Sequence, residues 1–312
     1  MLYCLSVVVR IYLGYFSILY GMVKVLKVQF GDYLLINLLT PLGDFSSMGL
    51  LWNFMSFSPA YNVFVGLGEV IGGALLFFRK TTLLGAMILI AVFSNVVMLN
   101  FTFDVPVKLF SSLLLLLALI LFSLEGKRVL YFFLNQPTIP SSPPVIFEAR
   151  INRRTIDYIK VLFLIILLAE TFASAYQSKV SLPPLYGIYE VESFKLNQAE
   201  VSSLGNNEHR WKRMIIDKHN LFYLQNRFGD YRLYQFEPGT TQHNIKIYRG
   251  KRGNEALYEF TYKIDETSQM ILKGNYMGDT LEILLTHRDS DDFLLTSRGF
   301  HWVNEKTFNP FP

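Results

Sequence analysis

Residues 66–85, GLGEVIGGALLFFRKTTLLG, decide the architecture of this 312-residue chain. Extended outward, the apolar sequence on either side of Arg79-Lys80 runs from Ala60 to Phe78 and from Thr81 to Phe101. Each run is close to the roughly 20 apolar residues that a helix needs to cross a hydrocarbon core. The dibasic turn between them predicts a tight helical hairpin. Glu69 stands inside the first run, and an acid within a span is a candidate functional group, because a charge in hydrocarbon is costly unless it is paired or used.

Three further segments have the same character: Leu2 to Leu26, Val107 to Leu124 and Tyr158 to Tyr176. The expectation is five spans. The Arg79-Lys80 turn and the connection holding Lys127, Arg128, Arg150, Arg153, Arg154 and Lys160 carry eight of the twelve basic residues that precede Lys179. By the positive-inside rule both connections are cytoplasmic. The N-terminus is then inside, and everything after Tyr176 is outside. The start, MLYCLSVVVR, lacks the cationic leader and small-residue cleavage site of a signal peptide and reads as a retained span. Between the first two spans, Phe30 to Pro59 is too broken for another crossing. Its Trp52 and its Tyr, Gly and Pro residues fit either a structured outer loop or a lid over a site.

Composition agrees with a membrane protein: 51% of residues are hydrophobic, 15% aromatic and only 17% charged. Twelve basic and 8 acidic residues precede Lys179, and 17 of each follow from it, so the net +4 belongs to the helical half. A charge this small and dispersed argues against nucleic acid as a partner. Cys4 is the sole cysteine, which excludes a disulfide framework, a dithiol centre and a cysteine metal site within one chain. All five histidines, His209, His219, His243, His287 and His301, lie in the C-terminal part. No histidine pair can therefore hold haem in the bundle, and their scatter predicts no metal site.

Depth can be counted from the helix ends at about 1.5 Å per residue. Arg10 and Glu69 both fall near mid-membrane on the first two spans and are expected to form a buried ion pair. Glu170 is a third intramembrane charge. Lys24, Asn95, Asn100, Asp104 and Lys108 converge nearer the outer surface. Snorkelling to headgroups would explain either lysine alone. Together with two amides and an aspartate they predict a polar pocket open to the outer interface. Such a pocket could bind a quinone head or a small anion, with Asn and Lys donating and Glu69 or Asp104 accepting protons. Small residues such as Gly66, Gly72, Gly73 and Gly85 allow close helix approach.

Three stretches carry a resemblance: LGYFSILYGMVK at 13–24, GLGEVIGGALLFFRKTT at 66–82 and LNFTFDVPVKL at 99–109. They resemble the DoxX family of small four-helix membrane proteins, over roughly Val8 to Arg128. That family takes its name from a subunit of a thiosulfate:quinone oxidoreductase. The resemblance implies a quinone-linked component of a bacterial cytoplasmic (inner) membrane, surrounded by lipids, with no covalently bound cofactor and with quinone as the expected ligand. Electrons would pass between that quinone and a redox partner protein at the extracytoplasmic face. The chain departs from the four-helix form by a fifth helix and a large outer domain.

After Tyr176 the long apolar runs give way to short alternating ones. Strand candidates recur about every ten residues: YGIYEVESFKL, HRWKRMIID, NLFYLQNRF, YRLYQFE, NIKIYRG, LYEFTYKI, SQMILKGNY, DTLEILLTH and DFLLTS. Turn signals such as Phe228-Gly229-Asp230, Pro238-Gly239, Arg252-Gly253-Asn254 and Met277-Gly278-Asp279 separate them. An all-β up-and-down barrel follows, and GIYEVESF resembles the opening of lipocalin-like barrels, with Tyr189 where those carry Trp. The interior is either filled by aromatic side chains or holds one small ligand.

The expected organisation is a four-helix transmembrane domain over 1–135, a cytoplasmic Pro-rich linker over 136–156, a fifth transmembrane helix over 157–176 and an extracytoplasmic β domain over 177–312. Two classes of function stay open. One is a quinone-interacting oxidoreductase subunit; the other is a non-catalytic scaffold or a protein that binds lipid or another apolar ligand. A transporter is disfavoured because no repeated half is visible.

Overall fold

A computed structural model describes residues 2–136, 153–177, 181–202, 210–239, 243–249, 256–265, 269–276, 278–299, 301 and 303. The Pro-rich stretch PTIPSSPP, the Arg252-Gly253-Asn254 turn, Met277 and His209 lie outside the described residues. The chain forms two compact units, residues 1–33 with 42–179 and residues 34–41 with 180–312.

The first unit is helical. Its elements are α1 (Leu2–Val25), α2 (Ser47–Phe57), α3 (Pro59–Phe77), α4 (Thr82–Thr102), α5 (Lys108–Leu124), α6 (Gly126–Phe133) and α7 (Arg153–Gln177). Segments Cys4–Val25, Pro59–Phe77 and Arg79–Thr102 are long and apolar enough to cross a membrane, and Lys108–Leu124 is a shorter apolar helix. The boundaries have local causes. Ser46 caps α2 by accepting from the Gly49 N–H at 3.0 Å. Ser58 caps α3 by accepting from the Tyr61 N–H, with Pro59 at the first helical position, where its missing N–H costs nothing.

α1 and α3 pack most extensively, and glycines set their separation. A Cβ added to Gly66 would sit 2.6 Å from the Gly21 carbonyl oxygen, and one on Gly73 would sit 2.9 Å from that of Gly14. Backbones approach this closely only where side chains are absent. The two contacts also fix the antiparallel register, Gly14 beside Gly73 and Gly21 beside Gly66. Leu13, Leu76, Leu89, Phe93, Leu114 and Leu121 fill the space among α1, α3, α4 and α5. Leu167 of α7 joins Ile18 and Phe77 in a separate cluster.

The second unit is a closed antiparallel barrel of eight strands: β1 (Gly187–Leu196), then β3 (Trp211–Asp217), β4 (Leu221–Asn226), β5 (Tyr231–Pro238), β6 (Asn244–Tyr248), β7 (Tyr258–Ile264), β8 (Gln269–Tyr276) and β9 (Asp279–Arg288). β9 closes on β1, and β2 (Ala199–Glu200) adds two residues beside β1. Closure pairs β1 with β9, and among the described residues only β2 adds to an edge, at the end of β1. DFLLTS, expected as a ninth strand, instead forms a 3-10 turn at Ser290–Asp292 and the short helix α8 (Leu294–Ser297), with the Asp289 side chain accepting from the Asp291 N–H. Phe194, Met214, Phe222, Phe236, Phe260, Leu272 and Ile283 are among the side chains that fill the barrel core. Tyr189 is buried, its hydroxyl donates to the Leu185 carbonyl at 3.0 Å, and burial pushes its pKa up to about 12.

Residues 34–41 fall with the β unit and not with the helices on either side of them in sequence. Leu35 packs with Ile188 and Ile215 of the barrel, joined by Ile36, Leu38 and Leu39. Beneath this strap, Asp217 is fully buried and accepts from the Lys218 N–H at 2.8 Å and the Ile36 N–H at 3.4 Å. Burial pushes the Asp217 carboxyl above its ordinary value, against the pull of the amides of Lys218, Ile36 and Leu35.

Candidate functional site

Within the helical unit a cavity of about 230 Å³ opens among α1, α2, α3, α4 and α5. Its wall is mainly apolar and aromatic: Phe30, Leu51, Trp52, Met55, Tyr61, Phe93, Leu99, Phe110 and Leu114 contribute. The polar groups on it are Lys24, Glu69, Gln29, Asn95, Asn100 and Ser111. α2 supplies Met48, Leu51, Trp52 and Met55, so the broken segment between α1 and α3 lines the cavity. Asn62 of α3 ties that helix down by donating from Nδ2 to the Met55 carbonyl at 2.7 Å.

The electrostatic centre is Lys24 with Glu69. Lys24 Nζ lies 2.9 Å from both Oε1 and Oε2, and the two residues are 6% and 1% exposed. A pair this buried is held by its own geometry, since either charge alone would be stranded. The ammonium also reaches the Tyr20 carbonyl at 3.5 Å and lies over the Tyr20 ring.

This corrects the expected pairing of Arg10 with Glu69. Arg10 Nε instead donates to the Leu76 carbonyl at 2.8 Å. Two physical effects separate them. With Gly14 beside Gly73, Arg10 sits level with about residue 77 of α3, some eight residues or about 12 Å from Glu69 along the axis. Helical side chains also lean toward their own N-terminus. On antiparallel helices that lean carries Lys24 and Glu69 toward each other and Arg10 away.

The expected five-residue polar pocket divides in two. Lys24, Asn95 and Asn100 line the cavity, Asn100 from a buried position and Asn95 from an exposed one. Asp104 and Lys108 do not; they pair with each other outside it, with the Asp104 side chain 82% exposed. The cause is the end of α4. Asp104 takes a left-handed backbone conformation, φ 54°, just past the helix. The Val105 N–H returns to the Asn100 carbonyl at 3.0 Å, and Pro106 prevents continuation. This turn directs Val105, Pro106 and Val107 to the cavity and Asp104 to the exterior. The Lys108 ammonium holds the Asp104 carboxyl below the ordinary range.

Gln29 escaped the sequence reading because it lies beyond α1 in a stretch without periodicity. Its Oε1 is buried and has no hydrogen-bond partner.

Against known proteins, the chain is 30% identical over 131 residues to "Uncharacterized protein YwoB" of Bacillus subtilis (strain 168). The match covers 41% of this chain and 81% of YwoB. The chain belongs to the YwoB family. No family model matches the chain, and no solved structure does. Kinship to YwoB carries no chemistry, because YwoB is itself uncharacterized. The likeness to DoxX proteins stays a resemblance of motifs.

Proposed function

We propose that the helical unit is a membrane-embedded receptor for a small amphipathic ring compound of the quinone class, serving a membrane redox system. The observation that carries the reading is the Lys24–Glu69 pair on the wall of an otherwise apolar cavity. The residues fit such a ligand. About 230 Å³ lies below the roughly 300–1,000 Å³ of pockets for drug-sized molecules, so it suits one substituted ring whose tail stays in lipid. Trp52, Phe93 and Phe110 offer faces and edges to a ring, and the amides of Gln29, Asn95 and Asn100 offer hydrogen bonds to its head. A quinone, when bound, supplies two-electron, two-proton chemistry. The chain's own groups bind it, orient it and exclude water around it.

We further propose five crossings in a bacterial cytoplasmic membrane, with the two basic connections inside and the barrel outside, where a redox partner docks. Support comes from chain parity. The strap at 34–41 and the strand after α7 belong to one β unit, which supports an even number of crossings between them. α3 and α4 make two, and α5 and α7 complete the set together.

The test is equilibrium binding of a short-tailed quinone and its quinol to the purified full-length protein in defined detergent. Saturable binding of one or both forms is expected, weakened by replacing Lys24 and Glu69. No saturable binding of either form overturns the reading and leaves the pair as a helix lock.

A further inference from the structure

An ammonium has three hydrogens and no acceptor, a carboxylate has acceptor sites only, and an amide has both. At Lys24 two hydrogens go to the Glu69 oxygens at 2.9 Å and the third reaches the Tyr20 carbonyl at 3.5 Å. The cation on the cavity wall therefore has only the long Tyr20 contact to give up for a ligand before a buried ion pair is broken. Acceptor capacity is left over instead. The Glu69 oxygens have further lone pairs, and Gln29 Oε1 is buried on the same wall with nothing donating to it. Asn95 and Asn100 present amides of which either atom can meet a ligand, whereas at Gln29 it is the amide oxygen that is buried on the wall without a donor.

Resting on the reading above, we infer that the cavity selects a ring bearing a hydroxyl, a phenol or quinol, over one that offers only carbonyl or ether oxygens, and that Gln29 is the specificity-determining residue. The ligand hydroxyl donates to Gln29 Oε1. A carbonyl-only head brings a second acceptor to that oxygen, and it finds a donor there only if the Gln29 amide turns over from the orientation that buries Oε1. The aromatic wall of Trp52, Tyr61, Phe93 and Phe110 favours an aryl over an alkyl alcohol.

The test uses redox-inert probes that differ in one group, para-hexylphenol and para-hexylanisole, with an alkanol of matching length as a third arm. Affinities are measured on the full-length protein in defined detergent. The phenol is expected to bind about tenfold more tightly than the methyl ether, the effect of one well-placed hydrogen bond. The alkanol is expected to bind several-fold more weakly than the phenol. In Gln29→Leu the phenol-to-ether ratio should fall to about one with the ether's affinity retained. Gln29→Glu, which keeps an acceptor, should keep the preference. Equal binding of phenol and ether by the native protein, or an unchanged ratio in a helical, monodisperse Gln29→Leu, overturns the inference while the pocket reading stands. Alkanol binding as tight as phenol overturns the aryl assignment. If no probe binds saturably, the pocket reading fails with it.

Discussion

The Lys24–Glu69 pair makes a quantitative prediction about the bundle. Lys24→Met leaves Glu69 without its cation, and Glu69→Leu leaves Lys24 without its carboxylate. The double replacement fills the same space with apolar groups. Because the residues are 6% and 1% exposed, solvent cannot screen the survivor of either single change. Breaking a buried pair from one side costs about 3–5 kcal/mol, while replacing both partners is often neutral or stabilising. At about 2–4 °C per kcal/mol for a unit of this size, each single variant should lower the unfolding midpoint by roughly 6–20 °C. The double variant should stay within a few degrees of the native protein. Thermal unfolding in detergent, followed by tryptophan fluorescence, reads all four proteins, and Trp52 sits on the cavity wall. A double variant whose loss equals the sum of the two singles would refute the pairing, since independent sites add and coupled ones do not.

Other expectations follow from the same geometry. Gly66→Ala places a Cβ 2.6 Å from the Gly21 carbonyl oxygen and 2.8 Å from Val25 Cγ2. It should destabilise the helical unit by about 1–3 kcal/mol by overpacking, whereas Gly43→Ala, with nothing within 4 Å, should leave the midpoint unchanged. Asp104→Ala with Lys108→Ala should leave ligand affinity as it is, because that pair lies outside the cavity; a titration that shows lost binding would return the loop to the site. Asp217 is raised above 3.8 in the folded chain, so its contribution to stability is fully present below that pH and is lost as pH rises through the higher folded value. Asp217→Asn, which keeps an acceptor for the Lys218 N–H, should remove that fall. Urea unfolding of native and variant chains from about pH 4 upward, read at Trp211 in the barrel core, measures the difference.

The architecture was legible because both halves announce themselves by period. Long apolar runs mark α1, α3 and α4, and two-residue alternation marks β1 and β3 through β9. DFLLTS failed as a strand because alternation alone cannot show that a barrel has already closed. The strap at 34–41 was hidden, since its Leu and Ile residues could face a membrane or a sheet equally well. In the site, Lys24, Asn95 and Asn100 were found by depth, which is one coordinate of three. Depth could not supply the register of the Gly14–Gly73 and Gly21–Gly66 contacts or the lean of side chains, which together exchange Arg10 for Lys24 as the partner of Glu69. Nor could it show that the left-handed backbone at Asp104 turns that carboxylate outward.

We propose that the cavity beside Lys24 and Glu69 holds an amphipathic ring compound. A photoactivatable phenol with a diazirine on its alkyl tail, irradiated with the full-length protein and mapped by peptide mass spectrometry, tests it most directly. Saturable labelling of cavity residues such as Trp52, Met55 and Leu99, competed by excess unlabelled phenol, is expected. Labelling confined to exposed apolar positions such as Phe64 and Leu109, and insensitive to competitor, would contradict it.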